Sequence, residues 1–127
     1  MNKVRFIALA MEDNKRVCVA AVVAAIICKK NVSAVYDYDT SRYLMFSTNR
    51  GANQISVYDY TRGGYIQGSN QQVYDYITGA YVSIQVNEYS FRGYDFERGY
   101  YFNGQINNRN ITFYDYEFAR YYNYSFS

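Results

Sequence analysis

Five aspartates recur in one setting. Asp37, Asp59, Asp75, Asp95 and Asp115 each sit between two aromatic residues, and each is followed six positions later by a tyrosine. Repeated carboxylates suggest three chemistries. A pair flanking a sugar could act as acid and nucleophile or base in glycoside hydrolysis. A cluster could supply the several oxygen ligands that calcium takes. Each could instead take part in a ladder of hydrogen bonds across the hairpins. Hydrolysis needs one special pair, and five equivalent copies single out none. Calcium loops gather their acids within a few residues, whereas these acids are spread one per repeat. Asp is disfavoured in strands, so its recurrence needs a reason. Hydrogen bonding is the expectation, to Arg42, Arg62, Arg98 and Arg120 or to tyrosine hydroxyls across a hairpin.

Other reactive groups are scarce. The chain has no His, and its two cysteines, Cys18 and Cys28, both fall near the N-terminus. A four-ligand zinc site cannot be assembled from that set within one chain. No glycine-rich phosphate loop and no nucleophile elbow is present. The expectation is a protein that is not an enzyme and needs no metal or cofactor.

The aspartates belong to a repeat, and the repeat dictates the elements. The unit is Tyr-Asp-aromatic, four residues, then Tyr. Its copies are Tyr36-Asp37-Tyr38…Tyr43, Tyr58-Asp59-Tyr60…Tyr65, Tyr74-Asp75-Tyr76…Tyr81, Tyr94-Asp95-Phe96…Tyr101 and Tyr114-Asp115-Tyr116…Tyr121. Internal spacing is constant while the linkers vary, as expected of a supersecondary unit that cannot bury its apolar face alone. The third intervening position is Ser41, Gly63, Gly79, Gly99 and Ala119, so glycine marks a left-handed backbone position in three copies. A three-residue hairpin loop places glycine there. In that register Tyr76 opposes Ala80, Asp75 opposes Tyr81 and Tyr74 opposes Val82. The two aromatics flanking each Asp then share one face, and Val73, Asp75 and Tyr81 share the other. A four-residue loop would reverse one strand's faces. Ser41 and Ala119 suit the left-handed position less well, which suggests looser first and last hairpins.

Turns also join the units: Gly68-Ser69-Asn70, Asn87-Glu88 and Asn103-Gly104, the last in competition with Asn107-Asn108-Arg109. A longer loop falls at Asn49 to Asn53. The fold class is therefore mainly β, an antiparallel meander of about ten short strands, either closed into a barrel or folded over the N-terminal segment. Residues 35–127 contain thirteen Val, Ile, Leu and Met, fewer than such a sheet normally buries, so tyrosine is expected to replace them in the core.

Residues 1–34 differ in kind. All 18 tyrosines follow Ala34; residues 1–34 carry a formal +4, and residues 35–127 carry −2. Val17–Cys28 is an unbroken apolar run between Lys15-Arg16 and Lys29-Lys30. It is too short for a membrane span, which needs about 20 residues. One reading is a secretory signal, with Val32-Ser33-Ala34 as the cleavage site before Val35. Against it stand Glu12, Asp13, Lys29 and Lys30. The other reading is a helix or strand packed on the sheet, with Lys3–Ala10 as a strand and Met11–Asn14 as a turn. The chain thus divides into residues 1–34 and a repeat domain, 35–127.

The mildly acidic repeats oppose a nucleic-acid partner, which would want a basic surface. The expected function is a structural or binding β-protein, exported to the cell surface or matrix and self-assembling through uncovered sheet edges. A cytoplasmic protein-binding module that keeps residues 1–34 is the alternative, and a carbohydrate-binding domain is a third. Partners are protein or a second copy, with glycan as a further possibility. The candidate binding face is Tyr36, Tyr38, Tyr58, Tyr60, Tyr74, Tyr76, Tyr94, Phe96, Tyr114 and Tyr116. The hydrogen-bonding set is Asp37, Asp59, Asp75, Asp95 and Asp115.

Overall fold

The computed structural model describes the backbone of residues 3–127 and the side chains of residues 13–127. One helix, α1 (Lys3–Cys28), precedes ten strands: β1 (Ala34–Asp37), β2 (Arg42–Arg50), β3 (Ile55–Asp59), β4 (Gly64–Gly68), β5 (Gln72–Asp75), β6 (Ala80–Asn87), β7 (Ser90–Asp95), β8 (Tyr100–Asn107), β9 (Asn110–Asp115) and β10 (Arg120–Phe126). Every strand pairs antiparallel with its neighbour in the chain, and β1 pairs with β10 to close a barrel. The meander is as expected, and of the two architectures the barrel is realised. Closure sets Val35 opposite Phe126 and Asp37 opposite Tyr124, and Ser127 extends the seam through its bonds to Ser33 and Ala34. The uncovered edges expected of the sheet are thus consumed by each other, because a closed barrel has none to offer.

The helix runs through the barrel. Val17 to Ala25 are all buried without interruption. At 3.6 residues per turn these nine cover every side of the helix, so it must be surrounded. Small barrels of about eight strands are filled by strand side chains, and wider ones leave room. Here α1 takes that room, and Ala20, Ala21, Ala24 and Ala25 keep it slim. Its nearest strand backbones are those of β9, β10, β1, β2 and β3. Phe91, Phe102 and Phe113 fill the wall of β7–β9, with Phe102 stacked on Phe113 at 5.1 Å between ring centroids. The apolar run is therefore the core of the domain, and residues 15–28 pack with residues 35–127 as a single body. Lys3–Ala10 and Met11–Asn14 belong to the helix rather than to a strand and turn. Lys29 ends the helix with a left-handed backbone (φ 53°).

The tyrosines do not replace the aliphatic core; the helix does. Of the tyrosines only Tyr122 and Tyr124 are buried, beside Leu44, Ile66, Ile84, Ile111 and the Phe cluster.

The hairpin register corrects the three-residue loop. Asp75 opposes Ala80, Tyr74 opposes Tyr81 and Val73 opposes Val82, leaving Tyr76–Gly79 as a four-residue loop. The same register recurs at Asp37, Asp59, Asp95 and Asp115. Two bonds select it. The Asp75 carboxylate accepts the Ile77 N–H at 3.1 Å, and the Gly79 N–H donates to the Asp75 carbonyl at 2.8 Å. Together they wind the loop as a single helical turn, one residue longer than expected. The consequence is a change of face for the last tyrosine of each unit. Val73 and Asp75 point inward, whereas Tyr74, Tyr76 and Tyr81 all lie on the outside.

Ser41 and Ala119 adopt the same left-handed backbone as the glycines, φ 57° and 53°. An L-residue there costs about 1–2 kcal/mol. Glycine's greater unfolded-state entropy offsets part of that. Ala119→Gly is expected to raise stability by about 0.5–1 kcal/mol, read as a higher urea midpoint; an unchanged or lower midpoint would mean Ala119 is unstrained.

The Asn103-Gly104 turn is not made. Both residues lie inside β8, and the β8–β9 turn uses Asn108 (φ 57°) and Arg109. Gly104 is instead required by packing, since a Cβ there would strike the Thr112 carbonyl and sit 2.6 Å from the Phe91 ring. The remaining turns fall near their expected places, at Gly51–Gln54, Ser69–Gln71 and Glu88–Tyr89.

Candidate functional site

The five aspartates converge on one end of the barrel, which the repeat guarantees by placing each at the inner end of a strand before its loop. Each carboxylate first caps its own loop. Asp37, Asp59, Asp75, Asp95 and Asp115 accept the backbone N–H two residues on, at 2.9, 3.0, 3.1, 3.0 and 2.9 Å. This is the Asx turn, a local bond that Asp makes better than other strand residues. It accounts for a strand-averse residue recurring there.

Four of the carboxylates also meet cations, Asp59, Asp75 and Asp115 through the second oxygen and Asp95 through the same oxygen that caps its loop. Arg62 lies between two strands' carboxylates, donating from Nε to Asp59 at 2.7 Å and from Nη1 to Asp75 at 2.8 Å. Lys15 donates to Asp95 at 2.9 Å and to Glu97 at 3.1 Å. Arg16 donates from Nε to Asp115 at 2.8 Å and from Nη1 to Asp13 at 2.7 Å, and it lies 3.7 Å over the Tyr122 ring. Asp37 faces Tyr124 across the closing seam. The basic flank Lys15-Arg16, which resembled a signal's n-region, thus ties the helix to the mouth of the barrel.

Of the arginines expected to form a ladder, Arg62 bonds the repeat aspartates. Arg42 bonds Thr40 and Asn14, Arg98 bonds Glu117, and Arg120 bonds Asp39. Burial works against the charge on Arg16 and Arg62, yet the paired carboxylates outweigh it and both guanidiniums are held more firmly protonated than usual. Among the described residues no three His, Cys, Asp or Glu side chains come together as a metal-holding group.

Burial pushes the Cys18 thiol and the Tyr124 phenol well above their ordinary pKa values, and raises Cys28 as well. Unfolded Cys and Tyr ionise near about 8.5 and 10, while the folded chain keeps both groups neutral. Their contribution is therefore complete below about pH 8.5 and is lost as pH rises, at about 1.4 kcal/mol per pH unit for each group ionising only when unfolded. The urea midpoint should fall between pH 8 and 10.5, and the fall should be shallower in Cys18→Ala. A midpoint independent of alkaline pH would contradict this.

The outer surface at the same end is a collar of rings. In every repeat the first tyrosine (Tyr36, Tyr58, Tyr74, Tyr94, Tyr114) is half-buried between the second aromatic and the last tyrosine. All ten centroid separations fall between 4.6 and 4.9 Å, edge to face. The outer two rings of each triad stay open to solvent. Tyr38, Tyr60, Tyr76, Phe96 and Tyr116, with Tyr43, Tyr65, Tyr81, Tyr101 and Tyr121, are 49–70 % exposed. The sequence-based face therefore splits: Tyr38, Tyr60, Tyr76, Phe96 and Tyr116 are presented, while their partners support them. The last tyrosine of each unit joins the presented set, which the shorter loop had hidden.

Below the collar the outward positions are small polar residues. Ser83, Gln85 and Asn87 alternate with inward Val82 and Ile84, and Asn103 and Gln105 alternate with Phe102 and Ile106. That alternation was visible in the sequence once the strand faces are known.

Fold and surface together define a ten-stranded antiparallel barrel closed around its own N-terminal helix, with an aromatic collar outside one charged mouth. Comparison of the chain with protein-family models, with curated proteins and with solved structures finds no match. No described helix is long and apolar enough to cross a membrane.

Proposed function

We propose that this is a non-enzymatic binding protein whose working surface is the aromatic collar, and that residues 1–34 are kept as its core. The observation that carries the reading is the set of ten exposed rings, two from each repeat. Exposed aromatic surface on this scale marks an interaction site. Each ring is pre-positioned by its triad, so little side-chain entropy remains to be lost on binding. The inner carboxylates are occupied with loop N–H groups and, at Asp59, Asp75, Asp95 and Asp115, with cations, which favours a structural role for them. Closure of the sheet removes the edge pairing on which assembly into a matrix would have rested, and this favours a discrete binding module over a polymerising one.

The reading predicts where a partner touches. With p-benzoylphenylalanine at Tyr60, Tyr81 or Tyr121, photolysis in the producing cells should give a discrete adduct. The same probe at inward-facing Phe46 should give none. Absence of adducts from every collar position would remove the proposal. The retained helix is tested by N-terminal sequencing of the mature protein, where a start at Val35 would count against it.

A further inference from the structure

The outer wall carries hollows below the collar, one across β2–β5 and a wider one, bordered by three collar rings, across β6–β9. On β6–β9 two hollows, of about 720 and 490 Å³, share Gln85, Arg92 and Asn103 and so form one groove. Its shape follows from the glycines behind it. Gly93 and Gly104 face inward beneath Phe102 and Phe91, where a Cβ would collide with ring carbons and with the Ser83 or Thr112 carbonyl. Glycine in a strand marks this kind of tight bend and close approach.

The lining is arranged in cross-strand rows. Gln85 opposes Arg92, and Arg92 opposes Asn103. One row further from the mouth, Ser90 opposes Gln105, and Gln105 opposes Thr112. Collar rings border the rows: Tyr101 and Tyr116 line one hollow and Tyr121 the other. Two bonds fix the arrangement, Arg92 Nε to Gln85 at 2.6 Å and Asn103 Nδ2 to the Tyr116 hydroxyl at 3.0 Å. From β6 to β10 the surface crosses four strand spacings of about 4.8 Å, or about 19 Å, enough for a short chain of rings rather than a single one.

We propose that this groove binds an oligosaccharide, stacking sugar faces on Tyr101, Tyr116 and Tyr121 and hydrogen-bonding hydroxyls to Gln85, Arg92 and Asn103. The proposal rests on the collar being a binding surface and names its ligand class. Sugars present an apolar C–H face and a rim of hydroxyls that both donate and accept. Tyrosine supplies the ring for the first, and carboxamides supply donors and acceptors together for the second. Other ligands fit the lining less well. Nucleic acid would require several cations along the groove, and Arg92 is the one present. A protein partner would want a desolvated apolar pocket for an anchor residue, whereas here the amides and hydroxyls of Gln85, Asn103, Gln105 and Thr112 interrupt the apolar lining of Val86, Phe91 and Phe102.

The test is a glycan array of neutral, N-acetylated and uronic-acid oligosaccharides probed with the full chain, followed by calorimetry with whichever glycan is retained. At least one class should be retained. Tyr101→Ala and Asn103→Ala should each weaken it by about tenfold or more while the chain still unfolds in one cooperative thermal transition, since both side chains lie on the outer face and each gives up a single contact, with Tyr94 or with Tyr116. Gln72→Ala, on the outer face of β5, should leave it unchanged. Retention of no glycan, or equal loss in Gln72→Ala, overturns the proposal. Photo-adducts from Tyr60 to a protein with no glycan retained would overturn it while leaving the collar reading standing; loss of all collar adducts would overturn that reading itself.

Discussion

A chain beginning at Val35 is expected to lose cooperative folding. In the intact protein Val17, Val19, Val22 and Val23 are enclosed by the barrel, with four alanines between and beside them. Burying each valine contributes about 1.5–3 kcal/mol. The four together rival the whole stability of a typical domain, about 5–15 kcal/mol. The loss is larger than that area alone implies, because the strand residues facing the helix would then line a hollow and lose their packing partners. Lys15 and Arg16 would be lost as well, leaving Asp95 and Asp115 without their cations. Circular dichroism of residues 35–127 should show no sigmoidal thermal transition, and a peptide spanning residues 13–34 should restore one when added. A sharp transition without the peptide would mean that the barrel stands without its plug, and would favour the export reading with cleavage before Val35.

The second large effect is expected at Arg62. Asp59 and Asp75 are both 0 % exposed, and Arg62 is within 2.8 Å of each. Lys15 lies 4.0 Å from Asp75 and cannot replace a direct bond to both. Arg62→Leu strands two carboxylates in a buried setting, and breaking a buried pair in this way costs about 3–5 kcal/mol. The urea midpoint should drop accordingly. Adding Asp59→Asn to Arg62→Leu should recover part of the loss, since the second change removes one stranded charge while an amide oxygen can still accept the Thr61 N–H. If the double variant is no more stable than the single one, the penalty lies in loop packing and not in the unpaired charge.

These two effects share a cause that explains the repeat. The Asp of each unit turns the chain locally, and those at 59, 75, 95 and 115 also hold a cation at the mouth of the barrel. The tyrosines divide in a similar way, one ring per triad supporting and two presented. The protein's interior is thus specified by Asp and the strand aliphatics, and its exterior by tyrosine with Asn, Gln, Ser and Thr. This division lets the outer face vary in its polar rows, as in the β6–β9 groove, without disturbing the turns.

Much of this is written in local sequence. The five reversals, the left-handed third position and the ten strands follow from spacing and from residue types that act within a few positions of themselves. The aspartates' preference for hydrogen bonding was legible for the same reason. Three features were not. The loop is one residue longer than glycine placement suggests, because the Asp carboxylate and carbonyl together wind a full turn there, and that single residue moves Tyr43, Tyr65, Tyr81, Tyr101 and Tyr121 to the outside. Asn103-Gly104 has the composition of a turn, but Gly104 is needed under an aromatic ring contributed by another strand. Val17–Cys28 is apolar on every side, a pattern shared by a signal core and by any fully buried element. Only the closing of β1 onto β10, a contact between residues nearly a chain length apart, creates the enclosed space that makes that segment a core.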